Sequence, residues 1–194
     1  MPEVKTILFY KPDQVLSTFS DSEGRETLKT YVSLDNIYSA GRLDYDSEGL
    51  LVITGDGSLI NHLTDPKRHQ VKTYLAMLEG ICELAKLKLL EKGIQLKGYR
   101  TLPCKVMTVE TPSLPERRKA VTPHNSTFWV RIQIGEGKKH QIRHMTAAIG
   151  YPCLRLIRVA IGPIGMGDLR PGQWRELTEQ EIQLLKKPQK HSAV

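Results

Sequence analysis

Gly41-Arg42-Leu43-Asp44-Tyr45-Asp46-Ser47-Glu48-Gly49-Leu50-Leu51 sets three carboxylates and an arginine between two glycines, then runs into the apolar block Leu50 to Ile53. That block is short, rich in Leu, Val and Ile, and closed by Gly55-Asp56-Gly57, the pattern of a buried strand fed by a charged loop. Loops at the mouth of a sheet favour chemistry, because a rigid scaffold holds their side chains beside solvent. In a near-extended loop Asp44, Asp46 and Glu48 would share one face, and like charges that close need a cation nearby, a part open to Arg42. A solvated turn ending in a helix cap would use the same residue types. The loop alone leaves both readings open.

The chain of 194 residues is long enough for one domain with a sizeable core. No apolar run reaches the roughly 18 residues of a membrane-spanning helix, and Met1-Pro2-Glu3-Val4-Lys5 lacks the apolar core of a signal peptide, so a cytoplasmic location is expected. Cys82, Cys104 and Cys153 are far apart, form no C-x-x-C pair and read as core thiols, with no zinc pattern. Lys and Arg number 28 against 21 Asp and Glu, a net charge of +7. The excess is spread over Lys67-Arg68-His69, Arg117-Arg118-Lys119, Lys138-Lys139-His140, Arg155 and Arg158, which describes a basic surface suited to a polyanion.

In chain order, Thr6 to Tyr10 reads as a first strand and Glu26 to Val32 as a short helix. Asp56-Gly57-Ser58 can cap a helix from Leu59 to Thr64 that Asp65-Pro66 ends. The β-branched and aromatic run beginning at Val71 is a strand whose period of two puts Lys72 and Tyr74 on one face, and Val71, Thr73 and Leu75 on the other. An exposed Tyr74 beside Lys72 would be a stacking platform; a packed core tyrosine fits the pattern equally. Glu83 to Lys92 is an amphipathic helix with Leu84, Leu87 and Leu90 on its stripe, and Lys105 to Glu110 is a strand. Residues 111–125, with three prolines, form a loop. In Thr127 to Ile134, Phe128, Val130, Ile132 and Ile134 face one way and Trp129, Arg131 and Gln133 the other, a half-buried strand. Lys138 to Ile149 reads as a helix that stacks Lys139 and Arg143 at i, i+4. Leu154 to Ile161 is a strand, followed by a Gly-rich loop and a last helix from Glu179 to Lys186. Residues 1–186 are thus expected to form one domain, and 187–194 a flexible tail.

Several familiar chemistries are excluded. Gly137-Lys138 is not a phosphate-binding loop, since Ile132 and Lys139 occupy positions that the motif forbids. His140 and His144 have the spacing of zinc ligands on a helix, but Gln141 stands where the general-base Glu belongs. Gly162-Pro163-Ile164-Gly165-Met166-Gly167 contains a proline and opens no helix, and no G-x-S-x-G nucleophile is present. What remains is carboxylate chemistry without metal or cofactor, best suited to nucleophilic or proton-transfer work at a sugar carbon.

At these residues the chain resembles the bacterial ribosomal pseudouridine synthases, type A for small-subunit rRNA and types B, E and F for large-subunit rRNA. Beyond the Gly41 to Leu51 signature, Tyr10-Lys11-Pro12, Lys72-Thr73-Tyr74, the run from Gly137 to Met145 and Leu154-Arg155-Leu156-Ile157-Arg158 all follow in the family's order. The resemblance implies an α/β (α+β) fold with a mixed, largely antiparallel central sheet flanked by helices and a cleft across it. It also implies isomerisation of a uridine in RNA: the base leaves the ribose at N1, turns and rejoins through C5, with no cofactor. Asp44 matches the catalytic aspartate, which either attacks C1′ or takes a proton from C2′. Tyr74 matches the tyrosine that stacks on the target base, Arg143 the basic residue that pairs with the aspartate, Leu156 an apolar wall of the pocket, and Arg42 the arginine that fills the gap left by the flipped uridine. Asp46 and Glu48 are left as structural carboxylates that fix the loop.

Many relatives carry an N-terminal S4-like RNA-binding domain of about 60 residues. Here the first strand begins within ten residues and none is expected, which with His69 to Tyr74 is most similar to type E among the enzymes for large-subunit rRNA. His144 stands where relatives often have Arg. The expected partner is therefore large-subunit ribosomal RNA or a precursor ribosomal particle, met by a monomer. The same reaction on another rRNA or tRNA uridine, a non-catalytic RNA-binding assembly protein and a carboxylate glycoside hydrolase are the alternatives; the intact Asp44, Tyr74 and Arg143 set and the basic surface weigh against the last two.

Overall fold

The computed structural model of the chain describes residues 4–187. The tail expected at 187–194 therefore lies, from residue 188 on, outside the described residues. In chain order the elements are β1 (Thr6–Lys11), β2 (Tyr38–Ser39), β3 (Glu48–Thr54), α1 (Gly57–Thr64), β4 (Lys72–Glu79), α2 (Leu84–Glu91), β5 (Gln95–Leu96), β6 (Tyr99–Arg100), β7 (Lys105–Val109), β8 (Thr127–Ile134), α3 (Gln141–Ala148), β9 (Cys153–Ile161), β10 (Ile164–Gly165), β11 (Trp174–Glu176) and α4 (Glu179–Lys186).

The main sheet runs β11-β1-β3-β9-β4-β8-β7, with β2 added to β3 and β10 to β9. Its pairings are antiparallel except at the centre, where β3 and β9 run parallel, Glu48 opposite Ile157 and Gly49 opposite Arg158. This is the mixed, largely antiparallel sheet flanked by helices that the resemblance implies. Every residue of β3 is buried, because both faces of that half are covered. Leu8, Leu50 and Val52 pack with Leu59 and Leu63 of α1 and Leu185 of α4, while Ile7, Phe9, Leu51 and Ile53 pack with Leu28, Val32 and Ile37. In the other half Ala76, Leu78, Val130 and Ile132 meet Leu87 and Leu90 of α2, Ile142 and Met145 of α3, and Ile149 just after it.

The helix caps follow their sequence signals. Asp56 Oδ1 accepts from the amides of Ser58 and Leu59 at the start of α1, and Thr178 with Glu181 forms a capping box on α4.

Four local expectations change. The segment from Glu26 to Val32 holds only a 3-10 turn, Leu28–Thr30, since Thr27 caps the turn and the chain then leaves it at Tyr31. Leu84 is exposed while Leu87 and Leu90 are buried, because the first turn of α2 overhangs the core. Trp129 is buried although it faces away from Val130 and Ile132: Leu114, in the proline-rich loop, covers that face of the sheet. α3 begins at Gln141, so Lys139 precedes the helix and does not stack on Arg143.

Candidate active site

A cleft of about 800 Å³ lies between α1 and α3, with side chains of β4 and β9 at its floor; Arg42, Asp44, Tyr74, Leu156 and Arg158 all line it. The acidic loop enters it under restraint from every side. Ser17 Oγ donates to Leu43 O at 2.9 Å and accepts from Leu43 N at 3.0 Å. Gln14 N donates to Tyr45 O at 2.7 Å, and Ser47 N closes a turn onto Asp44 O at 3.0 Å. Arg117 Nη2 donates to Asp46 O at 2.9 Å. With Leu43, Tyr45 and Asp46 held by backbone groups, the Asp44 carboxylate is fixed at the cleft without being consumed by a structural bond.

Because the loop is turned and not extended, its carboxylates diverge. Asp44 faces His140, whose Nδ1 lies 3.6 Å from Oδ2. Asp46 pairs with Arg143, Nη2 to Oδ2 at 2.9 Å. Glu48 belongs to β3, buried, and takes two bonds of 2.8 Å from Arg155 Nε and Nη2. Two expectations are corrected here. The three carboxylates share no face, and Arg42, exposed at the rim, forms no ion pair with them among the described residues. Arg143 pairs with Asp46 and the Cys153 carbonyl (2.7 Å), not with Asp44, and stands behind the loop.

The guanidinium that does line the cleft is Arg158, which the sequence reading counted in the basic surface. It is buried, donates from Nε to Leu50 O at 2.6 Å and reaches the Tyr74 hydroxyl at 3.5 Å, while its Nη2 has no acceptor. Tyr74 is itself only 7% exposed, so of the two readings left open the packed tyrosine is the one observed, with the ring also forming part of the cleft floor. Leu156, 5% exposed, adds an apolar surface.

Beneath the loop, Lys11 is fully buried, with Nζ donating to Pro12 O and Val15 O at 2.7 Å each; burial pulls its pKa down to about 7. Arg117 Nε adds charge contacts to Asp13 (3.3 Å) and Glu48 (3.4 Å), and Asp13 accepts from the amides of Arg118 and Lys119. The proline-rich loop is thereby strapped to the acidic one, which no local pattern in either segment announced.

Across the cleft, the turn before α3 is shaped from inside. Gln141, buried, accepts from Lys138 N at 2.9 Å and donates to Glu136, which also accepts from Leu102 N at 2.8 Å. His140 then takes a left-handed conformation (φ 52°) that delivers its ring toward Asp44, leaving Lys138 and Lys139 exposed at the rim. His144 lies exposed on α3, its ring centroid 6.1 Å from that of His140. Among the described residues, no three His, Cys, Asp or Glu side chains converge as metal ligands.

The family described as RNA pseudouridylate synthase matches residues 5–148, which hold the acidic loop, Tyr74 and α3. The chain belongs to that family. The ribosomal large subunit pseudouridine synthase E of Vibrio parahaemolyticus is 46% identical over 175 residues, 89% of this chain and 74% of that protein. The protein of the same name from Xanthomonas campestris pv. campestris is 43% identical over 174 residues, covering 87% of this chain and 93% of that one. A solved structure described as a pseudouridylate synthase superposes with a TM-score of 0.81 at 29% identity, over 95% of this chain and 75% of that one. The protein is thus an enzyme of the pseudouridine synthase class, an isomerase.

Proposed function

We propose that the enzyme isomerises one uridine of large-subunit ribosomal RNA to pseudouridine, with Asp44 as the catalytic carboxylate and without a cofactor. The substrate follows the names that the similar proteins carry. The observation that carries the chemistry is Asp44 itself, held by its neighbours' backbone bonds at the mouth of a cleft floored by Tyr74 and Leu156. The target uridine leaves its stack, at a cost of a few kcal/mol, and lies on Tyr74 against Leu156, while Arg42 takes the gap that it leaves. Lys138 and Lys139 at the rim contact phosphates, a contribution that weakens with salt. Arg158, fixed below, offers its unpaired Nη2 to the reacting nucleotide or to Asp44 and holds negative charge in the cleft. Arg143 serves through Asp46, keeping the loop in place. Asp44 either attacks C1′ or removes the C2′ proton; both routes free the base. The enzyme acts as a cytoplasmic monomer on rRNA or on a precursor particle.

The test is pseudouridine mapping by chemical labelling and primer extension on unmodified large-subunit rRNA. Wild type should add one new signal, and Asp44→Asn should lower its rate on the order of 10³-fold or more with RNA binding retained. Wild type that binds but modifies no uridine, on rRNA or on precursor particles, would leave the assembly-protein reading in its place.

A further inference from the structure

One cation of the cleft has no task in that scheme. Lys72 opens β4 two residues before Tyr74 and on the same face, so it lines the cleft together with Asp44 and Arg158. No hydrogen bond or ion pair falls to its Nζ among the described residues. Burial, and next the positive charge of Arg158, pull its pKa down to about 8. A lysine placed so is poorly stabilised as a cation until an anion arrives beside it.

The reaction makes such an anion. When C1′–N1 breaks, its electron pair goes to N1, and the free uracil carries a negative charge shared among N1, O2 and O4. We propose that Lys72 is the counter-ion of the detached uracil, donating to a ring carbonyl while the base turns on Tyr74 from N1 to C5. C5 then supplies the electron pair of the new C1′–C5 bond while Asp44 either departs from C1′ with the electrons of its ester bond or returns its proton to C2′, according to the route; C5 loses its proton to solvent, and N1 takes one from solvent. Lys72 keeps its three protons throughout, so the step needs no further reactant.

The choice of Lys72 over Arg158 follows from the turning of the base. Arg158 is pinned through Nε to Leu50 O and reaches Tyr74, so its fork cannot follow a moving charge. A lysine is a point charge on a flexible stem with rotatable donors, which can. His140 is engaged with Asp44, and Lys138 and Lys139 are exposed to water, which screens them.

This assignment rests on the proposed isomerisation, and its test separates the two. Single-turnover conversion of unmodified large-subunit rRNA and its binding affinity are measured for wild type, Lys72→Met, Lys72→Gln and Lys72→Arg, with melting curves to identify folded variants. The neutral variants should slow conversion by about 100-fold while affinity changes by less than about threefold, and Lys72→Arg should return to within about tenfold of wild type. A neutral folded variant that converts within about threefold of wild type overturns the assignment, and so does a loss carried by affinity, which would make Lys72 a phosphate contact. In either case an active wild type leaves the isomerase reading intact. A wild type that forms no pseudouridine defeats that reading first and this assignment with it.

Discussion

A Cβ at Gly49 would lie 2.2 Å from the Arg158 carbonyl oxygen, and the residue's φ is +105°, a conformation that side chains other than hydrogen rarely adopt. Gly49 is where β3 meets β9 in parallel, so the glycine sets the distance between the strand that follows the acidic loop and the strand that carries Arg158. Gly49→Ala is therefore expected to destabilise the fold by more than about 1 kcal/mol and to slow conversion as well, since β9 must retreat and take the guanidinium from Leu50 O. Urea unfolding with single-turnover assays checks this; an Ala variant with wild-type stability and rate would show that β9 moves freely. The motifs that hold Asp44, Tyr74 and Leu156 singled out in sequence three residues that line one cleft. The partner of Arg143 was not legible, since Asp44 and Asp46 are two positions apart and only the turn at Asp44 O decides which one α3 reaches. Arg158 was read as part of a basic surface, and its burial at the cleft was not legible because its acceptor, Leu50 O, is 108 positions away.

Strands and helices long enough to show a period were read nearly as they fold: β1, β4, β8, β9, α1, α2 and α4. The two-residue strands β2, β5, β6 and β10 carry no period, and the segment 111–125 has none either, because proline and charge are arranged there for contacts with distant residues. Its part in the fold is the strap, through Arg117 to Asp46 O and toward Asp13 and Glu48, and through Arg118 to Glu26 and Tyr31. Arg117 is largely buried against two buried carboxylates, and removing it leaves negative charge short of a partner. Arg117→Met should cost about 3 kcal/mol. It should also slow conversion on the order of tenfold at unchanged RNA affinity, because Asp46 and with it Asp44 loosen. Arg117→Lys, which keeps the charge but not the fork, should recover stability more than rate. Equal recovery of both would mean that charge alone holds the loop.

The architecture was legible in the sequence through the ordered motifs that resemble a known family, since element periods alone do not fix how strands pair; the ionisation of the whole was not, because it depends on which charges end up without water. Lys11 and Lys72 have folded-state pKa values of about 7 and about 8, below the ordinary 10.5. As pH rises above 7, the folded chain releases protons that the unfolded chain still holds, so stability increases with pH. The opposite sign sets in higher up. Burial raises Cys104 to about 12 and Cys153 to about 11 from 9.0, and Tyr10 to about 12 from 10.0, so above pH 9 the unfolded chain loses protons that the folded one keeps. Stability should therefore climb from pH 7, peak near pH 9 and decline beyond it. Lys11 alone accounts for an increase on the order of 1 to 2 kcal/mol between pH 7 and 9. Approach to zero net charge also relieves repulsion over that range, a contribution that Lys11→Met shares with wild type in large part. The comparison of slopes isolates the buried ammonium. Urea midpoints at pH 7, 8, 9 and 10 should rise more steeply for wild type than for Lys11→Met up to pH 9, whatever the difference in their absolute stabilities. Parallel curves would mean that Pro12 O and Val15 O solvate the ammonium as well as water does, and that Lys11 stays charged beneath the acidic loop across the whole range.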